Sequence, residues 1–442
     1  MVAARLLGHS AARQTATRLI GCSATWRCIV GALATAGCAS TTRTAPSSAP
    51  ATDSAAVVAD IGYLASPALA GRLIGTPGNA EAAAYIAHRY ESLGLKPLAA
   101  GYRQPFVAHP PVREGPRPSI PAQNVFALIP GRDDALRGEY IVIGAHFDHL
   151  GTSTEDALDP EAHGVRRGAD DNASGTAAVL ALAAHFARQP ARRSIIVANF
   201  SGEEQGLLGS AYFVDHMPVP IDSVDAMLNF DMVGRLRNDK LLVFGVATAN
   251  EWSSIVETAN VQPKLAIAAQ GDGFGPSDHS SFYAKNIPVL HFFTDQHEDY
   301  HKISDVPERI NAAGEARVIA LAERIARDVA DRPARLTFVR ATVSQAASAR
   351  TGSGVYLGSI PDMAGGDVPG LRLTGVTAGS PADAGGLKAG DVIVELDGKA
   401  IKDLYSYSDA LYAHKPGDEV TVVLLRDGQR LTRRVTLGKR GG

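Results

Sequence analysis

The chain has 442 residues, of which 45% are hydrophobic and 20% charged, and its formal net charge is -3. That length suggests two or three domains of ordinary globular composition. No basic block stands out, which argues against a nucleic-acid partner, and no apolar run approaches the roughly 18 residues of a transmembrane helix.

The first 38 residues read as an export leader. Arg5, Arg13, Arg18 and Arg27 supply positive charge, and residues 29–36 form a short apolar core. Two cleavage readings compete. Ala34-Thr35-Ala36 fits ordinary signal peptidase, whereas Gly37-Cys38 fits a lipoprotein anchored at Cys38. The leader places the protein in the periplasm, on the outer membrane as a lipoprotein, or outside the cell. A disordered cytoplasmic tail is the competing reading. Cys22, Cys28 and Cys38 are the only cysteines, so the globular part has neither a disulfide framework nor a thiol nucleophile. Residues 39–55 are mostly Ala, Ser, Thr and Pro and read as a flexible tether.

A large domain is expected over residues 56–335. Residues 61–69 are weakly helical, and 70–78 form a loop rich in turn residues. Asn79 is expected to cap a helix over 80–93, stopped by Gly94. Strands are expected at 123–129, 140–144, 194–200, 226–230, 241–246 and 288–293, and helices at 176–188, 252–260 and 312–330. The glycine-rich stretch 271–276 reads as mobile. Strands alternating with helices imply an α/β fold, a mostly parallel mixed sheet sandwiched by helices. Residues 336–353 read as a polar linker. Short β-like runs over 354–438 then form a small β-rich domain.

His, Asp and Glu gather where the large domain's strands stop, which is where open α/β sheets bind ligands. His146, Asp171, Glu204, Asp231 and His301 are candidate metal ligands, because imidazole and carboxylate suit zinc. Two divalent ions would bring four positive charges, and two Asp and one Glu return three negative ones. The balance is a site able to polarise a carbonyl and acidify water. Glu203 and Glu204 diverge after a strand, so one can bind metal while the other serves as general base. Asp148 is placed to orient His146, and Asp278 to orient another ligand. His149, His279, His291 and His297 rank lower, as site lining or structural residues.

With these stretches in view, the chain resembles the co-catalytic di-zinc aminopeptidases, metallopeptidase family twenty-eight. The matching segments are GRLIGTPGN (71–79), GAHFDHLG (144–151), GADDNASG (168–175), NFSGEEQGLLGS (199–210), NFDMVG (229–234), PSDHSSF (276–282) and HEDYHKISD (297–305). The resemblance implies a zinc-exopeptidase fold and two zinc ions. It also implies that Asp171 bridges them, with a cis peptide after it. His146 and Asp231 would complete one zinc, Glu204 and His301 the other, and Glu203 would be the base. Tyr300 matches a tyrosine that donates to the developing oxyanion in some relatives, while others place it where Phe274 stands here. The C-terminal stretch resembles a PDZ domain, with Tyr356, Leu357, Gly358 and Ile360 as its peptide-binding residues. Such a domain would hold a peptide C-terminus along a sheet edge. The function implied is an exported aminopeptidase acting on peptides. Two readings compete: a glutaminyl cyclase on the same fold, which two tryptophans, Trp26 and Trp252, supply poorly, and a non-catalytic peptide-binding protein.

Overall fold

The computed structural model describes residues 53–98, 101–110, 117–154, 157–271, 273–341, 355–361, 370–376, 379–402, 406–407, 410–411 and 413–439. The leader, Cys38 and the tether to residue 52 lie outside the described residues. The described residues begin inside the expected tether. Asp53 Oδ1 accepts from Ala55 and Ala56 N–H and caps α1 (Ser54–Leu64).

Helix α2 (Pro77–Ser92) starts ahead of its expected position. Thr76 is its cap, accepting from Asn79 N–H at 3.3 Å, and Pro77 opens the first turn, where a missing N–H costs nothing. Asn79 is buried inside the helix and spends its amide on distant partners.

The main sheet has eight strands: β1 (Arg103–Ala108), β2 (Ile120–Ile129), β3 (Tyr140–His146), β4 (Ser194–Phe200), β5 (Val224–Phe230), β6 (Lys240–Phe244), β7 (Ala266–Ala269) and β8 (Val289–Phe293). Their order is β1-β2-β4-β3-β5-β8-β6-β7. The middle four, β4, β3, β5 and β8, run parallel, and antiparallel pairs flank them. Every residue of β4 and β5 is buried, as strands covered on both faces require. One face packs against α1, α2, α3 (Gly175–Arg188), α5 (Trp252–Ala259) and α7 (Ala312–Asp331) through Ile61, Ile86, Leu180, Trp252 and Leu321. The other packs against α4 (Leu208–Asp215) and α6 (His279–Tyr283) through Phe213 and Phe282.

Beyond α7, residues 335–341 do not leave the domain. Leu336 N–H donates to Asp225 Oδ1 at 2.8 Å, Thr337 donates to Glu251, and Phe338 lies against Tyr283. Residues 342–353 of the expected linker lie outside the described residues.

The C-terminal domain contains β9 (Val355–Tyr356), β10 (Ser359–Pro361), β11 (Leu371–Val376), α8 (Pro381–Ala384), β12 (Val392–Leu396), β13 (Lys399–Ala400), β14 (Glu419–Arg426), β15 (Gln429–Thr436) and β16 (Gly438–Lys439). Its sheet runs β10-β11-β12-β14-β15, with β13 on β12, and β9 pairs β16. Leu373, Ile393, Leu396, Val422 and Leu424 fill its core. Among the described residues no helix is long and apolar enough to cross a membrane.

Candidate metal centre

Parallel strands that run side by side end on one edge of the sheet. His146 is the last residue of β3, opposite Phe200 at the end of β4. Glu203 and Glu204 follow β4, Asp231 follows β5, and the segment after β8 carries Tyr300 and His301. Asp171 reaches the same edge from the turn before α3, and the peptide Asp171–Asn172 is cis. Gly168 makes that turn possible. It sits at φ +59, and a Cβ there would lie 2.0 Å from Asp171 O and 2.5 Å from the His149 ring.

The structure brings all five candidate ligands together. His146 Nε2 lies 3.5 Å from Asp171 Oδ1, 3.5 Å from Asp231 Oδ1 and 3.9 Å from Glu203 Oε2. His301 Nε2 lies 3.2 Å from Asp171 Oδ2 and 3.1 Å from Glu204 Oε2. The two oxygens of Asp171 therefore face two different histidines. Two sets of donor atoms, His146–Glu203–Asp231 and His149–Asp171–Glu204, each converge within 4.8 Å.

His149 is closer to the centre than its sequence rank implies. Its Nδ1 is 2.6 Å from Glu204 Oε1, which leaves Oε2 to His301. Nothing in the local sequence marks this contact, because it depends on the Gly168 turn making room for the ring. His279 and His291 stack at 4.5 Å, and His297 Nε2 meets Asp170 Oδ2 at 3.1 Å.

Asp148 Oδ1 stands 3.6 Å from His146 Nδ1, beyond hydrogen-bond length, while its carboxylate accepts from Glu203 and Glu204 N–H at 3.2 and 3.4 Å. It thus holds the glutamate turn against β3. From the segment around Asp278, the group that reaches a ligand is Ser277, whose Oγ donates to Asp231 Oδ2 at 2.8 Å. Asp278 is fully buried beside it. Tyr300 stacks on His301 with ring centroids 3.9 Å apart. Phe274 packs edge-on against Tyr283 and offers no hydroxyl.

Protonation reflects a crowd of buried carboxylates. Burial raises Glu203 well above the usual carboxylate range, with Asp231, Glu204 and Asp278 adding to it against His146. Burial also raises Asp171, helped by Glu204. Burial alone would raise Glu204 as well, but His301 and His149 outweigh it and hold Glu204 well below its ordinary value. Burial opposes the charge on His301, yet Glu204 and Asp171 push it up to about 12. Burial and the carboxylates around it hold the Tyr300 phenol protonated.

This donor set fits divalent metal. Both ring nitrogens of His146, and Asp231 Oδ1, are buried without a hydrogen-bond partner among the described residues. Buried polar atoms in such a state are costly unless something else binds them. Imidazole nitrogens and carboxylate oxygens converging on one point are what zinc takes.

In the C-terminal domain, Leu357 is buried and its carbonyl accepts from Ala382 N–H at 2.8 Å. Gly358 has φ +84, and β10 starts at Ser359, directly after it. Tyr356 pairs with Gly438, and Ile360 with Gly375.

The chain resembles peptidase family M28. Residues 124–326 match that family's profile, and residues 347–437 match the PDZ domain profile. A protein of Pyrenophora tritici-repentis named "Probable zinc metalloprotease" is 37% identical over 158 residues, 35% of this chain and 31% of the relative. One of Arthroderma otae named "Probable leucine aminopeptidase" is 28% identical over 176 residues, 38% of this chain and 45% of the relative. The matched stretches thus span less than half the length of these relatives. Among solved structures, the zinc aminopeptidase BSAP of Bacillus subtilis aligns with TM-score 0.53 at 17% identity, covering 67% of this chain and 100% of its own. A glutaminyl cyclase of Bacteroides thetaiotaomicron aligns with TM-score 0.53 at 18% identity, covering 64% and 99%. At such identities the likeness is one of fold.

Proposed function

We propose that the chain is an exported di-zinc aminopeptidase that removes N-terminal residues from peptides. The observation that carries this reading is the split of Asp171, one oxygen toward His146 and the other toward His301. His146 and Asp231 would hold one zinc, Glu204 and His301 the second, and Asp171 both. Bound there, the two ions would polarise the scissile carbonyl and acidify a water.

The chain's own residues do the rest. Glu203, raised by burial, takes the proton of the attacking water and returns it to the leaving amine. Tyr300, kept protonated, donates to the oxyanion as it forms. His149 turns Glu204 so that one oxygen faces the centre, and Ser277 does the same for Asp231. The C-terminal domain is read as a holder of peptide C-termini along β10. The leader is read as directing export, with Cys38 as a lipid site. A cyclase needs an aromatic pocket, and Trp252 is not available for one: it is fully buried, with Nε1 donating to Thr248 Oγ1.

Zinc analysis together with a panel of aminoacyl amides tests the reading. Two equivalents of zinc and hydrolysis of free-amine substrates are expected. A protein that takes up no zinc, or cyclises N-terminal Gln and hydrolyses nothing, would falsify it.

A further inference from the structure

The GRLIGTPGN stretch donates no atom to the metal centre, yet its side chains grip the backbone segments that carry it. Arg72 is fully buried, at φ +55. Its Nε donates to Phe147 O at 2.7 Å, Nη1 to Leu64 O at 2.5 Å and Arg167 O at 2.7 Å, and Nη2 to Gly168 O at 2.9 Å. Phe147 lies between His146 and Asp148. Arg167 and Gly168 lead into the turn of Asp170 and Asp171. One rigid fork therefore spans the end of β3 and the start of the bridging turn. Burial pulls its pKa down to about 10, with Asp148, Asp305, Asp171 and Glu204 opposing that fall, so it stays charged at neutral pH.

Asn79 continues the frame. Its Nδ2 donates to Arg72 O at 2.9 Å, and its Oδ1 accepts from Ser201 Oγ at 3.1 Å. Ser201 is two residues before Glu203, at the end of β4. Gly78 lets the first turn of α2 lie against the Leu69 backbone, since a Cβ there would stand 1.9 Å from Leu69 O.

We propose that Arg72 and Asn79 are positioning residues of the metal centre, setting the spacing of His146, Asp171 and the Glu203–Glu204 pair toward zinc. The inference rests on the metal reading of the site. A plain structural brace would need the carbonyl contacts alone. Here the grip falls on residues next to ligands, and the fork's charge lies within electrostatic reach of Asp171 and Glu204. Ligand spacing sets metal affinity, so loosening such partners typically costs about 10- to 100-fold.

The test is zinc titration of metal-free full-length protein against a competing chelator, with kcat and KM measured on the loaded enzyme. Wild-type protein that binds no zinc defeats the metal reading itself, separately from this inference. Arg72→Lys keeps the charge and loses the fork. Asn79→Ala leaves the guanidinium intact and cuts the link to Ser201. Each should bind zinc about 10- to 100-fold more weakly and lose kcat with KM nearly unchanged. Guanidinium salt at tens of millimolar should partly restore zinc affinity to Arg72→Ala, and methylammonium should not. If Arg72 variants do not fold, Asn79→Ala decides. Variants that lower the melting temperature but keep wild-type zinc affinity and kcat reduce the segment to a brace and overturn the proposal.

Discussion

Glu203 and Glu204 are adjacent, equally acidic in sequence and opposite in environment. Histidines outweigh burial at Glu204, while burial and carboxylates dominate at Glu203. Glu203→Gln should therefore lower turnover by about 10²–10⁴-fold with zinc content unchanged. Zinc loss in that variant, or full activity, defeats the role of base. Asp171→Asn should reduce zinc at both positions, because its two oxygens face different histidines, and His146→Ala mainly at one. Two full equivalents in Asp171→Asn would remove the bridge. Asp278 gives a pH signature. Burial first, and then Asp148 and Asp231, push its pKa up to about 7 against the pull of His146. An unfolded Asp titrates near 3.9, so the folded state holds this proton more tightly. Its contribution to stability is present below about pH 4 and is lost as pH rises toward 7. Metal-free Asp278→Asn should then melt above wild type by at least ~2 °C at pH 8 and show no gain at pH 4. Equal melting differences at both pH values would contradict this.

At the scale of elements, the strands that build the centre were legible because each is an apolar run with a His, Asp or Glu at its end or within three residues beyond it. β1 and β7 were not: both are short edge strands whose residues are mostly exposed or half-buried, β1 opens on Arg103, Gln104 and Pro105, and β7 is four residues, three of them alanine, a residue type depleted in strands. α6 has only five residues, too few to display a helical period, and α4 is buried along most of its length and so lacks a polar face to mark one. Asn79 looked like a cap because Asn is a cap residue type. Thr76-Pro77 carried the stronger signal, and the partners that occupy Asn79 lie 7 and 122 positions away in the chain. His149 ranked only as site lining or structural for the same reason, since its contact with Glu204 is made through folding rather than spacing. Reading 336–353 as one polar linker concealed the docking of its first residues as well. Arg335 donates to Asp222 O and Val224 O, and Leu336 is buried. Burying a Leu is worth about 1.5–3 kcal/mol. A chain ending at Arg335 should thus melt about 3–12 °C below one ending at Ala341. Identical melting curves would show that the docked segment adds nothing.

For the whole molecule, every candidate ligand lies before Ala341, outside the stretch that matches the PDZ profile. A chain ending at Ala341 should keep its zinc and cleave small aminoacyl amides almost normally, because no metal-binding group has been removed. Long peptides differ. If β10 and the turn at 356–360 hold a peptide C-terminus, the linker between the domains raises the effective concentration of that peptide's N-terminus at the zinc centre. Loss of the C-terminal domain should then raise KM for long peptides and leave it unchanged for dipeptides. Amidating the C-terminus of a long peptide should raise its KM with the full chain and have no effect with the shortened one, since only a free carboxylate fits such a turn. The decisive comparison is KM against peptide length, for free and amidated peptides, in both chains. If the two chains behave alike on every peptide, capture is wrong. If shortening also abolishes amide hydrolysis while zinc is retained, the C-terminal domain supports the catalytic fold instead of feeding it.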